Sequence, residues 1–154
     1  MVTHFRKILV PTDGSNVAKK ALKKAIYLSK HTNTKLEAIH VIDVPYMPSV
    51  FETADEIPYI EVHELLKKRG DEILKNAEKL AKKSSVEIEL KLLEGHPAEK
   101  IVNEAKKNDL IIIGNKGMTA LDRIFLGSVT EYVTHHAPCS VMTVSYTHLR
   151  AHET

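Results

Sequence analysis

Tryptophan and glutamine are absent from this 154-residue chain, aromatic residues make up only 5% of it, and Cys139 is its one cysteine. A single cysteine excludes an intramolecular disulfide, and its apolar, strand-like surroundings read as those of a small buried hydrophobe, not a reactive thiol. No apolar run approaches the roughly 18 residues of a membrane-spanning helix, and no charged-then-apolar leader opens the chain. The cytoplasm is therefore the expected location. Charge of one sign is also lacking: 22 basic against 20 acidic residues leave +2, and the lysines are spread along helices instead of forming a block. Nucleic-acid binding gains no electrostatic support from this. At 43% apolar and 27% charged, the composition is that of a soluble globular protein. The length suits one domain that buries about two thirds of its unfolded surface.

The most informative stretch is 109–131. Leu110, Ile111, Ile112 and Ile113 form a short apolar run closed by Gly114, the pattern of a strand buried on both faces. A helix is expected over 128–136, because Ser128 and Glu131 have the spacing of a capping box. Between strand and helix stand Gly114, Gly117 and Gly127. Glycine allows close backbone approach, and a helix start offers unpaired N–H groups, so the stretch reads as a phosphate cradle.

The remaining chain alternates strands and helices. A strand over 7–10 runs into Pro11-Thr12-Asp13-Gly14-Ser15, which is turn and cap chemistry, and then into a helix over 16–30. A second strand is expected over 35–43; His40 within it reads as a packed histidine, not a ligand. Residues 44–59 hold three of the six prolines and follow no period, as in a long functional loop. A helix follows over 60–83 with Val62, Leu65, Leu66, Ile73, Ala77, Leu80 and Ala81 as its apolar stripe. The third strand, 86–93, alternates in polarity and suits a sheet edge. Pro97 opens the next helix, and the last strand is 140–144. Residues 145–154 follow no period and read as a non-native or disordered tail outside a single domain over 1–144; His148 and His152 fall in it.

Five strands separated by helical lengths call for an open, mostly parallel α/β sheet with helices on both faces. Ligands in such sheets lie beyond the carboxyl ends of the strands. If the first and fourth strands are neighbours, Asp13 faces the glycine stretch. Asp13 could accept from ribose hydroxyls or hold a divalent cation, cap the first helix, or combine these roles. Ser128 could contact phosphate or merely cap its own helix. Neither a P-loop nor a Gly-x-Gly-x-x-Gly fingerprint is present.

The segment Val10-Pro11-Thr12-Asp13-Gly14-Ser15 is similar to the opening of the universal stress protein family. Gly114, Gly117, Gly127 and Ser128 fill every fixed position of that family's nucleotide motif: Gly, two residues, Gly, nine residues, Gly, then Ser or Thr. Val41, Gly95 and the Val-Thr-Glu after Ser128 extend the resemblance over 5–144. Asn115-Lys116 departs from the usual Ser, Arg or His, which leaves Lys116 open between a phosphate contact and a solvated side chain. Arg123 reads as a surface arginine more readily than as a phosphate contact.

The resemblance implies a flavodoxin-like, Rossmann-like sheet of order 3-2-1-4-5 and a homodimer formed through the fifth strand. It also implies binding of ATP with Mg²⁺. Pro11, Thr12 and Asp13 would line the adenosine side, with Asp13 the residue for metal, and Val41 would contact adenine. Gly114, Gly117, Gly127, Ser128 and Val129 would hold the phosphates, and Lys116 and Thr130 complete the nucleotide-binding set. The implied role is a nucleotide-dependent switch or adaptor for an unidentified protein partner. A slow ATPase or phosphotransferase at the same site is the alternative, although no residue of the motif is an evident general base.

Overall fold

The computed structural model describes residues 5–43, 56–116 and 126–145, and for 56–59 the backbone course alone. Gly117, Arg123, most of the expected 44–59 loop and nearly all of the expected tail lie outside the described residues. Among the described residues five strands, β1 (Lys7–Pro11), β2 (Lys35–Ile42), β3 (Glu89–Glu94), β4 (Leu110–Gly114) and β5 (Ser140–Val144), alternate with four helices. These helices are α1 (Asn16–Thr32), α2 (Glu56–Lys83), α3 (Pro97–Glu104) and α4 (Ser128–His136). The sheet order is β3-β2-β1-β4-β5 and every pairing is parallel, the order that the resemblance implies.

The continuous apolar runs work because alternate side chains serve opposite faces. Ile8, Val10, Leu36, Ala38, Leu110 and Ile112 meet Ala21, Leu22 and Ala25 of α1 and Leu74, Ala77 and Ala81 of α2. On the other face, Leu9, Ile39, Ile111 and Ile113 meet Ile101 of α3 and Val133 of α4. Two cores thus share one sheet. Among the described residues, no helix is long and apolar enough to cross a membrane.

Two element starts, and the exposure of part of α2, differ from expectation. Helix α2 starts at Glu56 and not at residue 60. Pro58 lies in its first turn, where a missing N–H breaks no helical bond. Val62 and Leu65, expected in the buried stripe, are exposed at 46% and 67%, while Leu74, Ala77 and Ala81 are buried. The reason is length: 28 residues make a helix of about 42 Å, which outruns strands of about 17–27 Å. Strand β3 starts at Glu89 and not at residue 86. Ser85 takes a left-handed φ of 59°, and Ser85 N and Val86 N return to the carbonyls of Lys82 and Ala81 at 2.9 Å each. Val86 and Ile88 then pack against the core before pairing with β2 begins.

One charged group is buried in the sheet. Glu37 of β2 is 3% exposed and lies 2.8 Å from Lys7 Nζ and 3.6 Å from Lys91 Nζ. Lys91 also reaches Glu104 of α3 at 2.9 Å. The hydrogen bond to Glu104, and then the charge of Glu37, raise the Lys91 pKa above 10.5. A raised lysine value stabilises the fold at every pH below the unfolded pKa, so this contribution is constant through neutral pH and fades only in alkali.

The two lysines differ in burial, Lys7 at 12% side-chain exposure and Lys91 at 42%. Lys7→Met is expected to cost about 3 kcal/mol by stranding a buried carboxylate. Lys91→Met should cost no more than about 1 kcal/mol. Urea unfolding at pH 7 measures both, and equal losses would refute the assignment of Lys7 as the main partner.

Candidate functional site

Strands β1 and β4 lie side by side, with Ile8 opposite Leu110 and Leu9 opposite Ile111. Beyond their ends the chain leaves in opposite directions, to α1 on one face and to α4 on the other. A crevice at that edge follows from the topology.

Its first wall is the β1–α1 turn. Thr12 N–H donates to the carbonyl of Ile39 at 2.8 Å, which extends the β1–β2 ladder by one residue. Ser15 is the α1 cap, its hydroxyl accepting from Ala18 N at 3.1 Å. Asp13 is therefore not the cap. Its Oδ1 accepts from Ser15 N at 2.9 Å, an Asx-type turn, and its other oxygen has no partner among the described residues. Gly14 takes a φ of 82°, the left-handed conformation that the turn requires.

The second wall is the passage from β4 to α4. Asn115 N–H donates to Val144 O at 2.8 Å, and Gly127 N–H donates to Asn115 O at 2.7 Å. A Cβ on Gly127 would lie 3.0 Å from Lys116 Cα, so the two backbones cross closely there. The expected capping box does not form. Gly127 is the α4 cap, no side chain completes it, and Glu131 N donates to Gly127 O at 2.9 Å. Ser128 is then the first helical residue, and its exposed hydroxyl caps nothing. The backbone N–H groups of Ser128, Val129 and Thr130 have no acceptor within the helix. The buried Thr130 hydroxyl is occupied, donating to Gly114 O at 2.7 Å.

These walls enclose a cavity of about 540 Å³ lined by Pro11, Thr12, Asp13, Val41, Gly114, Lys116, Gly127, Ser128, Val129 and Thr130. Every described residue of the expected set is brought together here. A larger groove of about 790 Å³ opens near the start of β2, where α1 and α2 end. Helix C-termini present carbonyls there, not N–H donors.

A profile of the universal stress protein family matches residues 4–145. The chain belongs to the universal stress protein family. It is 43% identical over 143 residues to universal stress protein MJ0531 of Methanocaldococcus jannaschii, covering 91% of this chain and 82% of that protein. With universal stress protein YxiE of Bacillus subtilis it shares 33% identity over 91% of this chain and 99% of the relative. The structure of UspA from Lactobacillus plantarum superposes with a TM-score of 0.81 at 25% identity, over 93% of this chain and 99% of that one. More distant structures of the same fold include a universal stress protein in complex with cAMP, one from Archaeoglobus fulgidus with dAMP and one from Arabidopsis thaliana with AMP. Their identities to this chain are 23%, 20% and 21%, and their TM-scores 0.68, 0.63 and 0.64.

Within this universal stress protein the cavity is polarised. Asp13 and Asp43 stand on the β1–β2 side, while Lys116 and the α4 start stand on the β4 side. Sequence reasoning missed several lining residues, His40, Asp43, Pro97 and Ile101 among them. The period of a strand would have found Asp43, since it lies two residues beyond Val41 and four beyond Ile39, which also line the cavity. No side chain on α3 carried such a signal. No three potential metal ligands cluster among the described residues. A cation here would use Asp13 together with ligand oxygens and water, a common arrangement for Mg²⁺. Asn115 Oδ1, beside the cavity wall, is buried without a hydrogen-bond partner.

Gly114 has a packing role of its own, because a Cβ there would lie 2.6 Å from Val17 Cγ1 of α1. Gly114→Ala is expected to lose about 1–3 kcal/mol without any ligand, and Val17→Ala in the same chain should recover part of the loss. Thermal unfolding of the single and double variants checks this. Strict additivity would show that the two positions are not in contact.

Proposed function

We propose that this universal stress protein binds ATP with Mg²⁺ in the β1–β4 crevice and acts as a nucleotide-dependent switch or adaptor. The observation that carries the reading is the convergence of the strand-one turn and the glycine-motif helix on one polarised cavity. The N–H groups of Ser128, Val129 and Thr130, which have no acceptor within the helix, the Ser128 hydroxyl and the Lys116 amine suit phosphate oxygens. Asp13 keeps one oxygen that no described residue occupies, which suits a ribose hydroxyl or a hydrated Mg²⁺. Pro11 and Val41 offer apolar surface to the base. The relatives in complex with cAMP, dAMP and AMP support an adenine nucleotide as the ligand class. A bound cation would supply charge neutralisation between neighbouring phosphates.

Hydrolysis is the second reading. It requires a base, and Asp13 already accepts from Ser15 N, which favours holding the nucleotide over consuming it. Homodimerisation belongs to the same proposal. Strand β5 is a sheet edge with no charged residue, and its Ser140, Met142 and Thr143 are exposed. Unguarded edges of this kind invite pairing.

ATP with Mg²⁺ at about 100 times its Kd should add roughly 2.7 kcal/mol, or about 5–10 °C in Tm. AMP should give a smaller shift. Gly127→Val should abolish both shifts, and binding that survives it would put the phosphates elsewhere. Phosphate release that disappears in Asp13→Asn would instead establish the enzyme reading. For the dimer, Met142→Lys should give a monomer by light scattering, whereas an unchanged mass would remove β5 from the interface.

A further inference from the structure

We infer that His40 is a positioning residue for the crevice: it fixes the Thr12–Asp13–Gly14 turn and ties that turn to α2 through Gly70. The inference rests on the nucleotide reading for its functional consequence, but not for its structural part.

His40 Nδ1 lies 2.8 Å from Thr12 O. A carbonyl only accepts, so Nδ1 carries the proton, and in the neutral ring Nε2 is the acceptor. Thr12 N–H is already bonded to Ile39 O at 2.8 Å. Both backbone groups of Thr12 are thus held by consecutive residues of β2, and the next residue is Asp13. This is stronger restraint than a turn of this length receives from its own bonds, which are Gly14 N to Thr12 Oγ1 at 3.3 Å and Ser15 N to Asp13 Oδ1 at 2.9 Å.

The other edge of the ring meets α2. A Cβ on Gly70 would lie 2.8 Å from His40 Cδ2 and 2.8 Å from Leu92 Cδ1, so only glycine lets the helix come this close. Glycine inside a helix is destabilising relative to alanine, and the close approach accounts for its presence. Three residues further along α2, Ile73 Cγ1 would lie 3.2 Å from a Cβ on Gly14. Helix α2 therefore touches the turn twice, once through His40 and once directly. The position of the Asp13 carboxylate is set from α2 as well as from β1.

Two near-isosteric substitutions separate positioning from general packing. Asn in place of His40 keeps an N–H donor where Nδ1 stood, and Gln moves its amide one bond further out. Amide hydrogen exchange at Ser15 in the ligand-free protein and ATP affinity by calorimetry are read for both variants, with Tm as the control. His40→Gln is expected to speed Ser15 exchange and weaken ATP by about tenfold each, while His40→Asn stays within about threefold of the parent. Gly70→Ala, which drives a Cβ against the ring, should reproduce the Gln result at Ser15. Unchanged Ser15 exchange in His40→Gln, or equal ATP losses in the Asn and Gln variants, would overturn the inference. If the parent protein binds no ATP, the nucleotide reading fails by itself, and the exchange measurement still decides the role of His40.

Discussion

The pairing of β1 with β4 is the constraint on which the rest depends. Ile8, Leu9, Ile111 and Ile112 are each at most 1% exposed, so these two strands are buried on both faces and cannot separate without opening both cores. The chain leaves β1 towards one face and β4 towards the other, which makes a gap at their ends unavoidable. What fills the gap is then a matter of local chemistry. On one side is a turn held by β2. On the other is a helix start whose first N–H groups have no partner within the helix. Gly114 brings α1 close to β4, since any side chain there would meet Val17, and so helps to set the width of the opening.

Charge gives the crevice a direction. Phosphate is repelled by Asp13 and Asp43 and attracted by Lys116 and the partial positive charge of the α4 start. A ligand with a neutral, hydroxyl-bearing end and an anionic end has one favourable orientation, and its reverse brings like charges together. Discrimination of this kind depends as much on the unfavourable arrangement as on the favourable one.

Much of this was legible in the sequence. Buried strands announce themselves as short apolar runs, Pro97 marks a helix start, and the glycine spacing locates the crevice, whereas the α1 cap is Ser15 and not Asp13. What was not legible depends on contacts between distant elements. The Ser128–Glu131 spacing suits a capping box, but the cap is whichever residue has extended backbone, and the bond from Gly127 N to Asn115 O places Gly127 there. Val62 and Leu65 keep the helical period while lying beyond the end of the sheet, and periodicity contains no information about where a sheet stops. Glu37 reads as one more strand residue until Lys7 and Lys91 are seen around it. Gly70 and His40 are far apart in sequence, and neither carries a signal that points to the other.

The glycines of the motif do not have one common cause, and this changes what the motif means. Gly114 answers a packing demand from Val17, and Gly127 a backbone crossing at Lys116. Both demands arise from the fold with no ligand in view, so the glycine spacing alone reports a narrow crevice. What points to a ligand is the start of α4. With Gly127 as the cap, the Ser128 hydroxyl is released from helix capping, and three backbone donors at the α4 start have no acceptor in the helix. The Thr130 hydroxyl is meanwhile committed to Gly114 O, which fixes the helix start against β4. Donors that are held rigidly and have no acceptor in their own helix are the physical content of an anion site, and here they line the same cavity as Asp13.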